Sequence, residues 1–392
     1  TPHALNPPTQ ANLTNIRVLK SFVRASHEEE KFQKANRDLK EKTIHAIKVV
    51  IFTIPVMTLA MNIATLAVVW FGGNQIIVGS MKTGVLIAFI NYVTQILMSL
   101  VMISAIILNG SRALASSKRI DEILHTHVDL SDENASRKDQ IVRKGQIAFR
   151  NVCFRYYKNN RKWVLQDINL DIEPGETVGI IGSTGCGKTT LVHLIPRLYD
   201  VDSGEVLVDG INVKDYSLKN LRSGVSIVLQ NNVLFSGTIR DNLMWGDEDA
   251  DEETITHFAK SAQAHDFITL SPNGYDTELG QGGVNVSGGQ KQRLCIARTL
   301  LKRPKILILD DSTSAVDTAT ESRIQENFSK DLLHTTKIII AQRISSVMDA
   351  DKIVVMDEGK ITDMGTHSEL LQSCETYREI YSSQMDKAVT AS

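Results

Sequence analysis

The run Gly182-Ser183-Thr184-Gly185-Cys186-Gly187-Lys188-Thr189 puts three glycines, a lysine and a terminal hydroxyl into one short loop. It follows the apolar, β-branched segment 177–181 and opens the helical pattern Thr190-Leu-Val-His-Leu-Ile, the strand–loop–helix setting that a phosphate-cradling loop requires. Glycines let backbone N–H groups turn toward a polyphosphate, Lys188 adds a point charge beside the outer phosphates, and the following helix presents the positive end of its dipole. Thr189 is placed to offer its hydroxyl to Mg²⁺. Downstream, Ile306-Leu-Ile-Leu309 ends in Asp310 and Asp311. That sets two carboxylates at the carboxyl end of a buried strand, where open α/β sheets bind ligands. Asp310 is the natural Mg²⁺ ligand. A strand ending in two aspartates can equally be a turn, and it is the loop upstream that favours the site. Between them, Val286-Ser287-Gly288-Gly289-Gln290-Lys-Gln-Arg293 joins a hydroxyl, two glycines and a helix start into a second anion-recognition surface. A glycine-rich helix start alone would explain the same residues, yet one nucleotide hardly needs two such surfaces.

These groups need a scaffold. Short β-branched runs at 177–181, 306–309, 337–340 and 353–356, separated by helical patterns, predict an α/β domain with a largely parallel sheet. The polar run 126–144 lacks apolar periodicity and reads as a linker. Ahead of it, 49–71 and 85–108 are uncharged stretches of about 23 and about 24 residues, long enough to cross a bilayer. Soluble helices of that length rarely lack a charged face. Pro55 predicts a kink in the first span, not a break. The connection 72–84 carries only Lys82, whereas Lys34, Arg37, Lys40, Lys42 and Lys48 precede the first span and Arg112, Lys118 and Arg119 follow the second. Both ends are therefore cytoplasmic, with Trp70 and Phe71 at the opposite headgroup level. The charged stretch 11–47 reads as a cytoplasmic extension of the membrane helices, and from charge alone as a solvated helix face.

A chain of 392 residues is too long for one core and implies two domains or more. Its formal charge of −2 hides an asymmetry: residues 1–120 hold 13 Lys and Arg against 5 Asp and Glu. No basic stripe interleaved with aromatics is present, which argues against a nucleic-acid groove, and a membrane surface explains the basic front. Cys153, Cys186, Cys295 and Cys374 are too scattered for metal-ligand spacing or a disulfide framework, which fits a reducing cytosol. Neither an initiator Met nor a signal segment opens the chain, so targeting falls to the internal spans or to sequence beyond it.

Taken together, the motifs resemble the ABC transporter superfamily, and within it the exporters whose membrane and ATPase domains are fused. The resemblance implies a membrane α-helical segment, the last two transmembrane helices, followed by an α/β P-loop NTPase domain with a helical subdomain. Its boundaries fall at 1–120 (a partial transmembrane domain with a coupling helix near 25–30 and spans at 49–71 and 85–108), 121–145 (linker), 146–386 (nucleotide-binding domain) and 387–392 (tail). The stretch 12–22 resembles the cytoplasmic end of the fourth membrane helix. ATP would lie on Gly182, Ser183, Thr184, Gly185, Cys186, Gly187, Lys188, Thr189 and Thr190. Tyr156 would stack on adenine, although Tyr157 is an equally aromatic neighbour. Gln230 would join Thr189 and Asp310 on Mg²⁺. Ser287, Gly288, Gly289 and Gln290 would close over ATP held by a second subunit, explaining the second surface. Asp317, in Ser314-Ala-Val-Asp317, would sit in the loop between the two ATP sites, and 277–280 would contact intracellular loops.

Two residues depart from the family. Asp311 stands where a Glu usually acts on the attacking water, one methylene further back, and general-base chemistry depends on that reach. Gln342 stands where a His is usual; it can hydrogen-bond a phosphate but cannot become a cation. The pattern implies a degenerate, slow site in a plasma-membrane exporter whose partner is a second ABC half-transporter with intact residues. A slow homodimer and a nucleotide-sensing regulator are the alternatives; a soluble ABC ATPase conflicts with the two spans. Asn62, Asn91 and Gln95 in the spans identify no substrate, since such residues as often bond neighbouring helices. Exporters of this type have six membrane helices per half, and residues 1–8 do not resemble the helix expected ahead of Asn12, so a truncated or mis-joined start is expected.

Overall fold

The computed structural model describes residues 10, 12–13, 15–126, 128–158, 162–311 and 317–390. Residues 1–8, positions 11 and 14 of the helix end expected before residue 22, 314–316 of the inter-site loop and 391–392 of the tail lie outside them. The chain divides into two units, Thr1–His127 and Val128–Ser392.

The first unit is helical: α1 (Ile16–Ser21), α2 (Ala25–Ile77) and α3 (Thr83–Leu124). α2 carries the charged stretch and the first apolar stretch without interruption, and Pro55 lies inside it. Near its start the Glu28 carboxylate accepts from Asn12 Nδ2 (3.1 Å) and pairs with Lys31 (3.5 Å), and these partners, Asn12 first, hold its carboxyl below the usual range. The apolar windows long enough to span a bilayer are Pro55–Ile77 and Thr83–Leu100, nearer to the connection than 49–71 and 85–108. Almost none of either window is buried, so Leu59, Ile63, Leu66, Ile87, Phe89 and Ile96 face outward, an arrangement that fits lipid better than water. The connection is tight: Ser80 Oγ donates to the Gln75 carbonyl (2.9 Å), and Gly79 takes a φ of 78°. At Gly72 a Cβ would stand on the Leu86 side chain, so the glycine lets the two helices approach. α3 runs on through Leu124, past the linker start read at 121, because 111–124 holds no glycine or proline to stop it.

The second unit opens with β1 (Ile147–Phe154), β2 (Leu165–Ile172), β3 (Thr177–Gly182) and the short α4 (Lys188–His193). β4 (Ser203–Val208), β5 (Ile211–Asn212), α5 (Leu218–Gly224) and β6 (Val225–Val228) follow. A helical stretch then begins with β7 (Gly237–Thr238) and α6 (Ile239–Met244), continues through α7 (Glu252–Ser261), α8 (His265–Thr269) and β8 (Glu278–Leu279), and ends in α9 (Gly288–Leu301). The chain closes with β9 (Ile306–Asp310), α10 (Thr318–Asp331), β10 (Thr336–Ile340), β11 (Lys352–Asp357), β12 (Lys360–Gly365), α11 (His367–Ser373) and α12 (Glu375–Thr390).

The main sheet has the order β12-β11-β3-β10-β9-β6 and is parallel except for the antiparallel edge strand β12. Its central strands, β11, β3, β10 and β9, are dominated by buried apolar residues because both faces are covered. Alternation in β9 shows this: Ile306 and Ile308 enter one core, Leu307 and Leu309 the other. The first core is shared with α4 and with a second sheet, β2-β1-β4-β5, which is antiparallel and was not foreseen. The other core belongs to the helices α6 to α10.

β4 and β5 join through Asp209-Gly210, both at positive φ (50° and 75°), the pair that a tight hairpin favours. The Asp209 carboxylate also accepts from the backbone N–H groups of Arg143 (2.6 Å), Lys144 (3.0 Å), Gly145 (2.8 Å) and Gln146 (3.0 Å). One side chain thereby ties the end of the linker to the domain. Asp209→Gly keeps the positive φ but removes this acceptor, and it should cost about 2 kcal/mol. A urea midpoint unchanged from the parent would contradict this role.

Candidate phosphate-binding site

Register places the site. Ile340 of β10 lies opposite both Ile180 of β3 and Asp310 of β9, and Val228 of β6 lies opposite Leu309. Four parallel strands therefore end together, and the segments carrying Gly182, Gln230, Asp311 and Gln342 leave from one edge of the sheet.

At the end of β3 the chain passes so close to β11 that a Cβ on Gly182 would collide with the Met356 carbonyl. Gly187 has a φ of 102°, and a Cβ there would meet Leu165 at 2.8 Å. The loop can be built only with glycine at these points. Cys186 and Thr190 are buried beneath it, while Ser183, Thr184 and Gly185 are exposed. Lys188 Nζ donates to the carbonyls of Gly182 (2.8 Å) and Ser183 (2.9 Å), so the ammonium is folded onto its own loop. Tyr156 is tied to the same element: its hydroxyl lies 2.9 Å from Thr190 Oγ1, and its ring packs edge-on against Phe154 (5.0 Å) and Tyr199 (5.1 Å). It is 44% exposed, against 75% for Tyr157.

Thr189 Oγ1 donates to Asp310 Oδ1 (2.9 Å), bringing the expected hydroxyl and carboxylate together. Gln230, the third expected Mg²⁺ ligand, instead faces Asp311: its Nε2 donates to Asp311 Oδ2 at 3.4 Å. The same oxygen accepts from Gln342 Nε2 at 2.6 Å. Asp311 holds this position with a φ of 48°, its N–H donating to the Ile340 carbonyl (3.0 Å). Gly182, Ser183, Thr184, Gly185, Lys188, Thr189, Gln230, Asp310, Asp311 and Gln342 all line one cavity of about 540 Å³. Thr376, Glu379 and Ile380 of α12 complete its wall. Sequence reading missed them, as it missed His193, whose Nε2 stands 4.0 Å from Asp310 Oδ2. Among the described residues no group of three or more His, Cys, Asp or Glu forms a metal cage. A threonine hydroxyl and one carboxylate fit a hard cation such as Mg²⁺, which keeps waters or phosphate oxygens in its remaining positions.

The second surface lies elsewhere. Ser287 caps α9: its Oγ accepts from the Gln290 N–H (3.3 Å), and Gln290 Oε1 accepts from the Ser287 N–H (2.9 Å). The Ser-x-x-Gln spacing is the sequence signal of this reciprocal capping box, which sequence reading did not draw. Ser287 and Gly288 are exposed, and none of 287–290 is among the described residues lining the cavity. Asp317 caps α10 by accepting from the Thr320 N–H (2.9 Å), and this bond holds its carboxyl below the usual range.

Asp310 is 2% exposed. Burial pushes the carboxyls of Asp310 and Asp311 above the usual range, partly offset by Thr189 at the first and by Gln342 at the second. A carboxyl raised in the folded state adds stability while it is protonated, and that stability is lost as pH rises through its folded pKa. Asp310→Asn keeps an acceptor for Thr189 and removes the buried charge. It should raise the melting temperature of the nucleotide-free, metal-free chain at pH 7, with the gain shrinking toward zero below about pH 4. Melting curves across that range check this; a gain independent of pH contradicts it.

Comparison with known proteins agrees with this geometry. Residues 165–314 match the family described as ABC transporter, and residues 9–100 match the ABC transporter transmembrane region. An uncharacterised ABC transporter ATP-binding protein of Bacillus subtilis, YfiB, is 44% identical over 383 residues, covering 98% of this chain and 66% of that protein. The putative multidrug export ATP-binding/permease protein YgaD of the same organism is 39% identical over 368 residues, covering 94% of this chain and 63% of its own length. The structure of a bacterial Atm1-family ABC exporter with ATP bound aligns with a TM-score of 0.88 and 31% identity, over 96% of this chain and 66% of the exporter's. The chain thus spans slightly less than two thirds of these relatives. It belongs to the ABC transporter superfamily, in the branch where the membrane region and the ATP-binding domain share one polypeptide.

Proposed function

We propose that this chain is the ATP-binding subunit of a plasma-membrane ABC exporter and that its own site holds ATP with Mg²⁺ but hydrolyses it slowly. The observation that carries the reading is the pair of amide donors, Gln342 and Gln230, converging on Asp311 Oδ2. An aspartate is already one methylene short of the usual glutamate, and here one of its two carboxylate oxygens is engaged by two amide donors. Gln342 stays neutral, so charge developing on a transferring phosphoryl group gains no cation from it. Binding is a separate matter. The glycine loop, Lys188, Thr189 and Asp310 make a complete cradle for a nucleoside triphosphate, with Tyr156 beside it for the base. YgaD is named as a putative multidrug export protein and the Atm1-family exporter has ATP bound, which supports the assignment.

The partner is a second ABC half-transporter. That 287–290 do not line this chain's own cavity is consistent with the role the family resemblance implies, closing over a nucleotide held by another subunit, and a partner with Glu and His at the matching positions would make that second site the hydrolytic one. The two apolar helices support a position in a lipid bilayer, and the basic residues flanking them support a cytoplasmic ATPase domain.

The chain purified alone should show little ATPase activity, and co-expression with its partner should restore turnover. Robust turnover from the chain alone, unaffected by Asp311→Ala, would sink the slow-site reading. Within the pair, Lys188→Ala should weaken ATP binding at this chain's site by at least about tenfold, the scale of losing one charged phosphate contact. Ser287→Asp keeps the helix cap but sets a carboxylate against the partner's phosphate, and should cut turnover while leaving ATP binding at this chain's own site intact. Equal loss of nucleotide binding in both variants would contradict the division of labour. ATP-dependent substrate uptake into inverted vesicles separates an exporter from a nucleotide-sensing regulator, which would show none.

A further inference from the structure

The segment after β10 is held from two directions. On α12, Tyr377, Ile380, Tyr381 and Gln384 follow the i, i+3, i+4, i+7 spacing of one helix face. Tyr377, fully buried, and the partly buried Ile380 and Tyr381 pack into a core with Ile344, Ile353, Val355 and Leu370. Gln384 is the next step of that face, a polar residue where the pattern calls for an apolar one. Its amide bridges the backbone on either side of Arg343: the Ile344 N–H donates to Gln384 Oε1 (2.9 Å), and Gln384 Nε2 donates to the Gln342 carbonyl (2.8 Å). From the other side α10 holds Ser346, whose Oγ donates to Glu321 Oε1 (2.8 Å) and whose carbonyl accepts from Gln325 Nε2 (3.3 Å). At the first of these anchors the Gln342 side chain reaches into the cavity, where it donates to Asp311.

We propose that Gln384 is a positioning residue: by fixing the backbone of Gln342 from the C-terminal helix, it presets that side chain for the terminal phosphate and makes the site favour a nucleoside triphosphate over the diphosphate. The inference rests on the reading that this cavity holds ATP. In a free loop, ordering the backbone at Gln342 would be charged against each binding event, whereas here folding has already ordered it. Only the ligand that reaches Gln342 gains from the clamp. The diphosphate, held by the glycine loop and Lys188, should not sense it.

The test measures displacement of a fluorescent nucleotide from the full chain in lipid nanodiscs with Mg²⁺, using a non-hydrolysable ATP analogue and ADP as competitors. Gln384→Met fills the same space with no hydrogen bonds. It should weaken the triphosphate analogue by roughly fivefold to tenfold, the scale of losing two ordinary hydrogen bonds that preset one residue, and change ADP by less than about twofold. Gln384→Glu keeps the acceptor for Ile344 and loses the donor, so it should fall between. Adding Gln384→Met to Gln342→Ala should cause little further loss, because the clamp acts through that side chain. Equal weakening of both ligands, alone or with a lowered melting temperature, would assign Gln384 to packing and overturn the proposal, as would no change in either. If the unsubstituted chain binds neither ligand, or Lys188→Ala binds both undiminished, the ATP-site reading fails and this inference with it.

Discussion

The parallel register of β3, β10, β9 and β6 is the constraint on which the site depends. Strands that run the same way and pair without offset must end at the same edge, and here that edge carries a glycine loop, a carboxylate pair and two glutamines from distant parts of the chain. Parallel pairing in turn requires both faces of the sheet to be covered. The antiparallel sheet on one side and the helical layer on the other do this, which is why the strands are rich in isoleucine, leucine and valine without polar alternation. A one-residue slip of β9 would move Asp310 away from Thr189 and exchange its two core faces, so packing and site geometry enforce the same register.

Within that frame the polar groups satisfy one another. Lys188 is spent on loop carbonyls, Thr189 on Asp310, and both Gln230 and Gln342 on Asp311. Each of these bonds joins groups that a bound triphosphate and its cation would separate or share. These lining groups are therefore paired with one another, and a bound triphosphate would exchange those hydrogen bonds for its own. The remaining tension is the burial of two neighbouring carboxylates, which a cation relieves.

The loop was legible because residue type alone limits what it can do: glycines at enforced positive φ, a lysine and a threonine leave few alternatives, whereas the strand-end aspartates, which could equally mark a turn, were legible only beside it. The spans were legible from length and absence of charge, but their placement was less so. Helix α2 runs without a break from charged to apolar residues, and only the surrounding structure sets where its buried or lipid-facing part begins. The antiparallel sheet escaped because β1 and β2 mix polar and apolar residues and pair with register shifts, while the other partner of β1, β4, lies beyond β3 and α4 in the chain. Tyr156 and Tyr157 could not be separated by type; the bond to Thr190 and the packing against Tyr199 distinguish them. The role of α12 was invisible because Gln384 meets its partners about forty residues upstream, and a glutamine on a helix face carries no signal of what it bonds.

The two family departures are better understood as one change than as two losses. A histidine at position 342 facing a glutamate at 311 would form a pair able to exchange a proton and a charge. Gln342 facing Asp311 forms a neutral-to-anion hydrogen bond of 2.6 Å that can do neither. The glutamine amide reaches the Asp311 carboxylate and holds it. On the function proposed above, such a pair holds a bound triphosphate more readily than it helps to cleave it.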